Sequence, residues 1–172
     1  MRVAAKLRIP AAPELVWEIA TDPAQALDFL AGVTRWEWVG GPARGLGARY
    51  RMLMRVRAAE VGGLVEVVEW QPPLQFAWAS VTGIHQRGRL RLREDGRGRT
   101  RAELRLAYSL AGSGLSGILA ERLAAPTVSA NLRRSLLALR QLVEHERRRA
   151  RSSGREPAAD RRPARSRPER AA

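Results

Sequence analysis

The sequence predicts an α+β domain in which a curved antiparallel sheet of about seven strands grips one long C-terminal helix. Two short helices follow the first strand. Three observations lead to this fold: several segments alternate between apolar and polar residues, short turns join them, and the last apolar stretch has helical spacing. Strands joined by short turns are antiparallel neighbours, and the apolar face of such a sheet needs a cover. The final helix is the predicted element long enough to cover it, and a cavity can remain between the two.

The first predicted elements lie within the opening 30 residues. Val3–Ile9 alternates as a half-buried strand does, and Pro10 ends it. Pro13 stands where the first turn of a helix accepts proline. Asp22 is a suitable cap for a second short helix over residues 24–30.

The middle of the chain predicts the remaining strands of the sheet. Alternation is clear in 33–39, 48–58, 74–81, 84–93 and 100–109. The stretch 64–70 also resembles a strand, but its alternation is broken and its faces stay unassigned. Gly62 and Gly63 indicate a turn before it. The glycine-rich loop 40–47 lacks the Lys-Ser/Thr ending of a phosphate-binding loop and predicts a flexible connection at the mouth of a cavity.

A long helix is predicted after Gly114, with apolar residues three to five positions apart as far as Val143. Pro126 lies inside this run and should kink or divide the helix. The domain is expected to span residues 1–146. Residues 147–172 carry ten basic and three acidic side chains and little to bury, which predicts a disordered basic tail.

Composition excludes several classes of site. The chain of 172 residues has 31 basic and 17 acidic side chains, a formal charge of +14, with Lys6 as its one lysine. It contains no cysteine and two histidines far apart in sequence, so no metal centre, catalytic triad or cofactor is expected. No apolar run is long enough to span a bilayer and no secretory signal is visible, so the expected location is the cytoplasm.

The candidate ligand site is the inward side of the sheet and the facing side of the last helix. Its predicted lining is Trp36, Tyr50, Met52, Met54, Phe76, Trp78, Ser80, Gln86, Gly88, Leu90, Leu104, Leu106 and Tyr108, with Leu132, Leu136 and Leu139 from the helix. A mostly apolar lining with a few polar groups suits a hydrophobic small molecule. The same residues would also form an ordinary packed core.

Two features of this inward side bear on its chemistry. Gly88 lies in mid-strand, where a missing side chain can bend the sheet and leave space in a cavity. Neither histidine shares the inward side, and Glu66 or Glu69 does so only if the unassigned strand turns that way. Without an acid/base pair, catalytic residues stay unassigned.

Arginines dominate the outward side of three strands. They are Arg49, Arg51, Arg55, Arg57, Arg87, Arg89, Arg91, Arg93, Arg101 and Arg105. If these strands are neighbours, Arg49, Arg51, Arg87, Arg89 and Arg91 form a cationic patch that could contact nucleic acid or an anionic membrane weakly. The alternative is a plain solvated face, which the near-absence of lysine favours. No aromatic residue interleaves these arginines to stack bases, so specific binding of single-stranded nucleic acid is not expected.

Several sequence segments resemble those of the helix-grip (START-like, SRPBCC) superfamily, and in particular of its polyketide cyclase/dehydrase-like branch. The segments are IPAAPELVWEIATDP, AGVTRWEWVGGPARGLGARYRM, VVEWQPPLQFAW and LRRSLLALRQLVE. The resemblance covers residues 1–146. It implies a cavity that binds or carries a lipid, polyketide or aromatic metabolite. The alternatives are a polyketide aromatase/cyclase or dehydrase and a polyanion-binding interaction module. The oligomeric state is not predicted.

Overall fold

The computed structural model describes residues 1–109 and 115–153, with side chains for 1–109 and 123–152. Its strands are β1 (Arg2–Ile9), β2 (Val33–Gly40), β3 (Arg49–Val56), β4 (Ala59–Gln71), β5 (Gln75–Ser80), β6 (His85–Glu94) and β7 (Thr100–Ser109). Its helices are α1 (Pro13–Ala20), α2 (Ala26–Phe29) and α3 (Leu115–Ser153), with a single 3₁₀ turn, Pro23–Gln25, between the first two. The predicted start of the last helix at 112–114 lies outside the described residues.

The seven strands form one antiparallel sheet in the order β1-β7-β6-β5-β4-β3-β2. The first strand therefore pairs with the last one, and β1 and β2 are the two edges. The long helix α3 packs across the inner face, and α1 and α2 lie beside it. The predicted α+β fold, with its two short helices and gripped C-terminal helix, is confirmed.

Burial follows the predicted alternation closely in β6 and β7. Leu90 and Leu92 are buried while Arg87 and Arg93 are exposed. In β7 the buried residues likewise alternate with exposed or half-buried ones along the whole strand. Apolar residues at every second position thus fix which face of a strand meets the core.

The broken alternation in 64–70 has a structural cause. Val65 and Val67 are buried, but the pairing of β4 with β5 shifts register between Val67 and Glu69, so one extra residue, Val68, is inserted. A bulge of this kind turns every following side chain to the opposite face. Trp70 therefore joins the inner face, and neither Glu66 nor Glu69 does.

The predicted turn at Gly62 and Gly63 is wrong. The chain turns at Arg57 and Ala58 instead, and β4 runs straight through both glycines. A Cβ on Gly62 would lie 2.0 Å from the carbonyl oxygen of Met52, and one on Gly63 would lie 2.1 Å from that of Thr82. The glycines are thus required by close approach of the neighbouring backbone.

The helix α3 contains Pro126 and is not divided by it. It also continues past Glu146 to Ser153, so the predicted tail does not begin at Arg147. Arginine and alanine are good helix formers, and Arg149 pairs with Glu146 at 3.4 Å one turn earlier. The rest of the predicted tail, 154–172, lies outside the described residues. No helix in the described part of the chain is long and apolar enough to cross a membrane.

Candidate functional site

A cavity of about 50 Å³ lies between the sheet, the C-terminal half of α3 and the two short helices. Its lining is Ala20, Thr21, Asp22, Pro23, Ala26, Phe29, Leu30, Trp36, Arg44, Gly45, Tyr50, Val67, Trp70, Phe76, Trp78, Leu90, Leu104, Ser135, Leu136 and Leu139. The side chains are mostly apolar, and five of them are aromatic rings from the sheet. We call this region the aromatic end.

The rings of the aromatic end contact one another. Trp36 stacks on Tyr50 with centroids 4.7 Å apart and an interplanar angle of 19°. Phe76 lies 5.7 Å from Trp78 and 6.0 Å from Trp70. Offset and edge contacts of this kind stabilise aromatic clusters beyond the area that they bury.

Most polar groups of the lining bond to the protein itself. The hydroxyl of Tyr50 donates to the carbonyl oxygen of Ala43 at 2.7 Å. Ser135 Oγ donates to the Asn131 carbonyl oxygen and accepts from the backbone N–H of Ala31, both at 2.9 Å. These bonds hold the loop and the α2–β2 connection against the rest of the domain, so the hydroxyl groups of Tyr50 and Ser135 are already used within the protein.

Arg44 closes one side of the cavity. Its Nη1 and Nη2 both lie 3.0 Å from Oε2 of Glu18 on α1, and its Nε donates to Thr21 Oγ1 at 3.1 Å. Its guanidinium also lies 5.9 Å from the centre of the Trp70 ring. The loop 40–47, predicted as a connection at the cavity mouth, is thus fastened across the mouth to α1 by one side chain.

Two ionisable groups other than Arg44 border the cavity. Burial raises the pKa of Tyr50, and the nearby charge of Arg44 offsets part of that rise. The carboxylate of Asp22 accepts from the backbone N–H of Ala24 at 2.9 Å and from Nε2 of Gln25 at 3.1 Å. In the described ranges no three His, Asp or Glu side chains come together in a way that could hold a metal ion.

A family model described as polyketide cyclase / dehydrase and lipid transport matches residues 1–144. This match covers most of the chain. The protein belongs to that family. No curated protein matches its sequence.

Solved structures of similar proteins share the fold of this family member. TTHA0849 from Thermus thermophilus is 26% identical, with a TM-score of 0.74 over 85% of this chain and 99% of that one. The Zhui aromatase/cyclase from Streptomyces sp. R1128 is 20% identical, with a TM-score of 0.70 over 90% and 98%. A START superfamily protein from Mycobacterium smegmatis is 15% identical, with a TM-score of 0.64 over 84% and 97%. At the two lower identities the likeness concerns the fold alone.

Half of the predicted ligand contacts of this polyketide cyclase/dehydrase family member line the cavity. They are Trp36, Tyr50, Phe76, Trp78, Leu90, Leu104, Leu136 and Leu139. Five others, namely Met52, Met54, Gln86, Leu106 and Tyr108, surround a second cavity of about 20 Å³. We call the region around this second cavity the methionine end. Alternation predicted the inward direction of the strand residues, and helical spacing predicted that Leu136 and Leu139 face them. Neither pattern shows that the space between sheet and helix is divided into two cavities.

Three predicted contacts line neither cavity. Leu132 is buried in the core, and Ser80 Oγ accepts a bond from the backbone N–H of Gln86 at 3.1 Å. The prediction that Gly88 leaves space for a ligand is wrong. Gly88 lies opposite Trp78 in the neighbouring strand, and a Cβ on it would lie 1.9 Å from Cζ2 of that indole. The space above Gly88 is filled by Trp78.

Sequence reasoning missed the lining from α1, α2, the loop and β4. Only the three-dimensional fold brings Phe29, Arg44 and Trp70 together around one cavity. Trp70 could have been found if the bulge in β4 had been recognised. For Arg44 the sequence offers no signal, because its partners Glu18 and Thr21 precede it by more than 20 residues.

The five arginines predicted to contact polyanions all lie on the outer face, but they do not form one patch. The strands β3 and β6 are separated by β4 and β5. Arg49 pairs with Glu66 at 2.6 Å and Arg89 with Glu69 at 2.8 Å, while Arg91 donates to Gln75 at 2.9 Å. Arg51 on β3 and Arg87 on β6 lie in separate groups. Acidic residues between the arginines weaken the field that would attract phosphates, so the arrangement does not favour a polyanion-binding module.

Proposed function

We propose that this protein binds and carries a hydrophobic small molecule, such as a lipid, a polyketide or an aromatic metabolite, at its aromatic end. The observation that carries the proposal is a cavity lined largely by aromatic and aliphatic side chains under a cover made of separate elements. Sites for apolar ligands have this composition, with a small number of polar groups that orient the ligand. The family's description, which includes lipid transport, agrees with it.

The size of the cavity indicates how a ligand enters. A volume of about 50 Å³ holds a few water molecules, at about 10–15 Å³ each, so a larger ligand needs the lining to separate. The loop 40–47 is the element whose movement opens the mouth, because Arg44 joins it to α1 through partly exposed contacts. Binding therefore involves release of this loop.

Carriage is favoured over catalysis by the state of the ionisable groups. Asp22 and Arg44 are both held by protein partners, and the raised pKa of Tyr50 keeps its hydroxyl protonated. A polyketide aromatase/cyclase would need an acid or base free to exchange a proton with its substrate. The lining offers shape and hydrogen bonds, which suit a binding protein.

The proposal is tested by native mass spectrometry of the purified protein and by titration with a neutral fluorescent probe, N-phenylnaphthylamine. Ala26→Val adds two methyl groups to the lining of the aromatic end, and Ala124→Val makes the matched change at the methionine end. We expect the first variant to bind the probe severalfold more weakly and the second to bind it as the wild type does. Absence of probe binding by the wild type, with no co-purified ligand, would reject the carrier function.

A further inference from the structure

Two buried indole nitrogen atoms at the aromatic end have no hydrogen-bond partner. Nε1 of Trp36 and Nε1 of Trp78 are the buried side-chain nitrogen or oxygen atoms, among the described residues, that lack one. Both tryptophans line the cavity. An indole N–H can only donate, and nearly all buried donors in folded proteins are paired. Two unpaired donors beside one cavity are therefore unusual and need a structural or functional explanation.

Ring contacts, rather than hydrogen bonds, hold both indoles in place. Trp36 is stacked on Tyr50, whose hydroxyl is itself bonded to Ala43. Trp78 lies over Gly88 and against Phe76, and it is only 7% exposed. Each N–H is thus held in position without donating a hydrogen bond. A donor whose position is already fixed loses little entropy when it binds an acceptor.

We propose that Trp36 and Trp78 are the polar anchors of the ligand, and that the ligand is an apolar molecule with carbonyl oxygens. The proposal rests on the proposed function, since it concerns the same cavity. Carbonyl oxygens accept from N–H donors and add no donor that the lining would have to satisfy. A hydrocarbon of the same shape would leave both indoles unpaired.

The pair fluorenone and fluorene tests the proposal, because the two molecules have nearly the same shape and differ by one carbonyl group. We expect the wild type to bind fluorenone about three- to tenfold more tightly than fluorene, the gain expected of one neutral hydrogen bond. The carbonyl stretching frequency of bound fluorenone should fall below its value in hexane. This infrared signal reports the hydrogen bond directly.

Trp36→Phe and Trp78→Phe remove one donor each and keep an aromatic ring. At least one of them should lose the preference for fluorenone, while the affinity for fluorene changes much less. Trp38→Phe is the matched control, because Trp38 follows on the same strand but is exposed, and its Nε1 donates to the Pro42 carbonyl oxygen at 3.2 Å. This variant should keep the preference.

The outcomes separate the inference from the proposed function. Equal binding of the two molecules by the wild type, with an unshifted carbonyl frequency, would overturn the role of the indoles and leave the carrier function standing. A preference that survives in both Phe variants would also overturn it. If neither molecule binds but N-phenylnaphthylamine does, the inference fails and the carrier function stands; if none of the three binds and nothing co-purifies, both fail. An unshifted carbonyl frequency in the wild-type protein overturns the inference even where a variant does not fold.

Discussion

The aromatic end and the methionine end share one sheet and one helix, yet they are covered differently. At the aromatic end the cover consists of α1, α2, the loop 40–47 and the C-terminal half of α3. At the methionine end the described lining of the smaller cavity comes from the sheet, from Ile84 just before β6, and from Ala124 and Val128 of α3. A cover made of several separate pieces can open by moving one of them, whereas the helix that covers the described part of the methionine end moves as a unit. Because both ends are apolar, the construction of the cover is the reason why we place the proposed ligand site at the aromatic end.

The largest effect is expected from Leu139→Ala at the aromatic end. Leu139 is buried and lines the larger cavity. Its truncation should lower the free energy of unfolding by about 2–5 kcal/mol and widen the cavity, so that the variant accepts a bulkier probe. Urea denaturation and probe titration measure both. Val128→Ala should destabilise less and leave probe binding unchanged. If the Val128 variant gains probe binding instead, the two ends are one continuous site.

Gly88→Ala tests whether Trp78 defines the wall between core and cavity. The added Cβ overlaps the indole, so Trp78 must shift or the strands must separate, at a cost of about 1–3 kcal/mol. Thermal unfolding and tryptophan fluorescence should both change. Gly40→Ala is the control, because a Cβ there meets no atom within 4 Å. Unchanged stability of the Gly88 variant would show that the indole is not held against this strand.

Tyr50→Phe removes the bond to Ala43 and should cost about 0.5–1.5 kcal/mol at neutral pH. The raised pKa of Tyr50 in the folded protein adds a pH dependence. Above about pH 10 the unfolded chain ionises first, so the stabilisation from Tyr50 is present below that pH and is lost as the pH rises towards the folded pKa. Denaturant unfolding between neutral and alkaline pH measures this loss. The Phe variant should show a shallower decline, and parallel curves for the two proteins would contradict the assignment.

Arg44→Ala should change stability least, by less than about 1 kcal/mol, because its ion pair with Glu18 is partly exposed. Its effect should appear in kinetics, since the loop 40–47 loses its attachment to α1. Stopped-flow fluorescence should show faster association of N-phenylnaphthylamine. Arg35→Ala removes another exposed pair, with Glu37 at 3.7 Å, away from the mouth and should leave the rate unchanged. Equal rates in all three proteins would place the entrance elsewhere.

The sequence predicted the fold because the fold depends on local patterns. Each of these patterns depends on the surroundings of a single helix or strand. Examples are the alternation in 84–93 and 100–109, the cap at Asp22 and the apolar spacing of the last helix. The site depends on pairings between distant residues. The partner of Gly88 is Trp78, and the partner of Arg44 is Glu18; neither pairing is visible before the strand order and the position of α1 are known. The bulge after Val67 similarly hid Trp70, because one inserted residue reverses the alternation.

The pairing of β1 with β7 has a consequence for synthesis. Arg2 lies opposite Ala107 and Ile9 lies opposite Thr100, so the first strand made finds its partner about 100 residues later. At a translation rate of about 5–20 residues per second, β1 leaves the ribosome roughly 5–20 s before β7. During that interval its apolar side chains and its unpaired backbone groups are open to other chains, as on any free strand edge. Closing the sheet is therefore a late event, and a nascent chain stalled before residue 100 would be a natural client for chaperones.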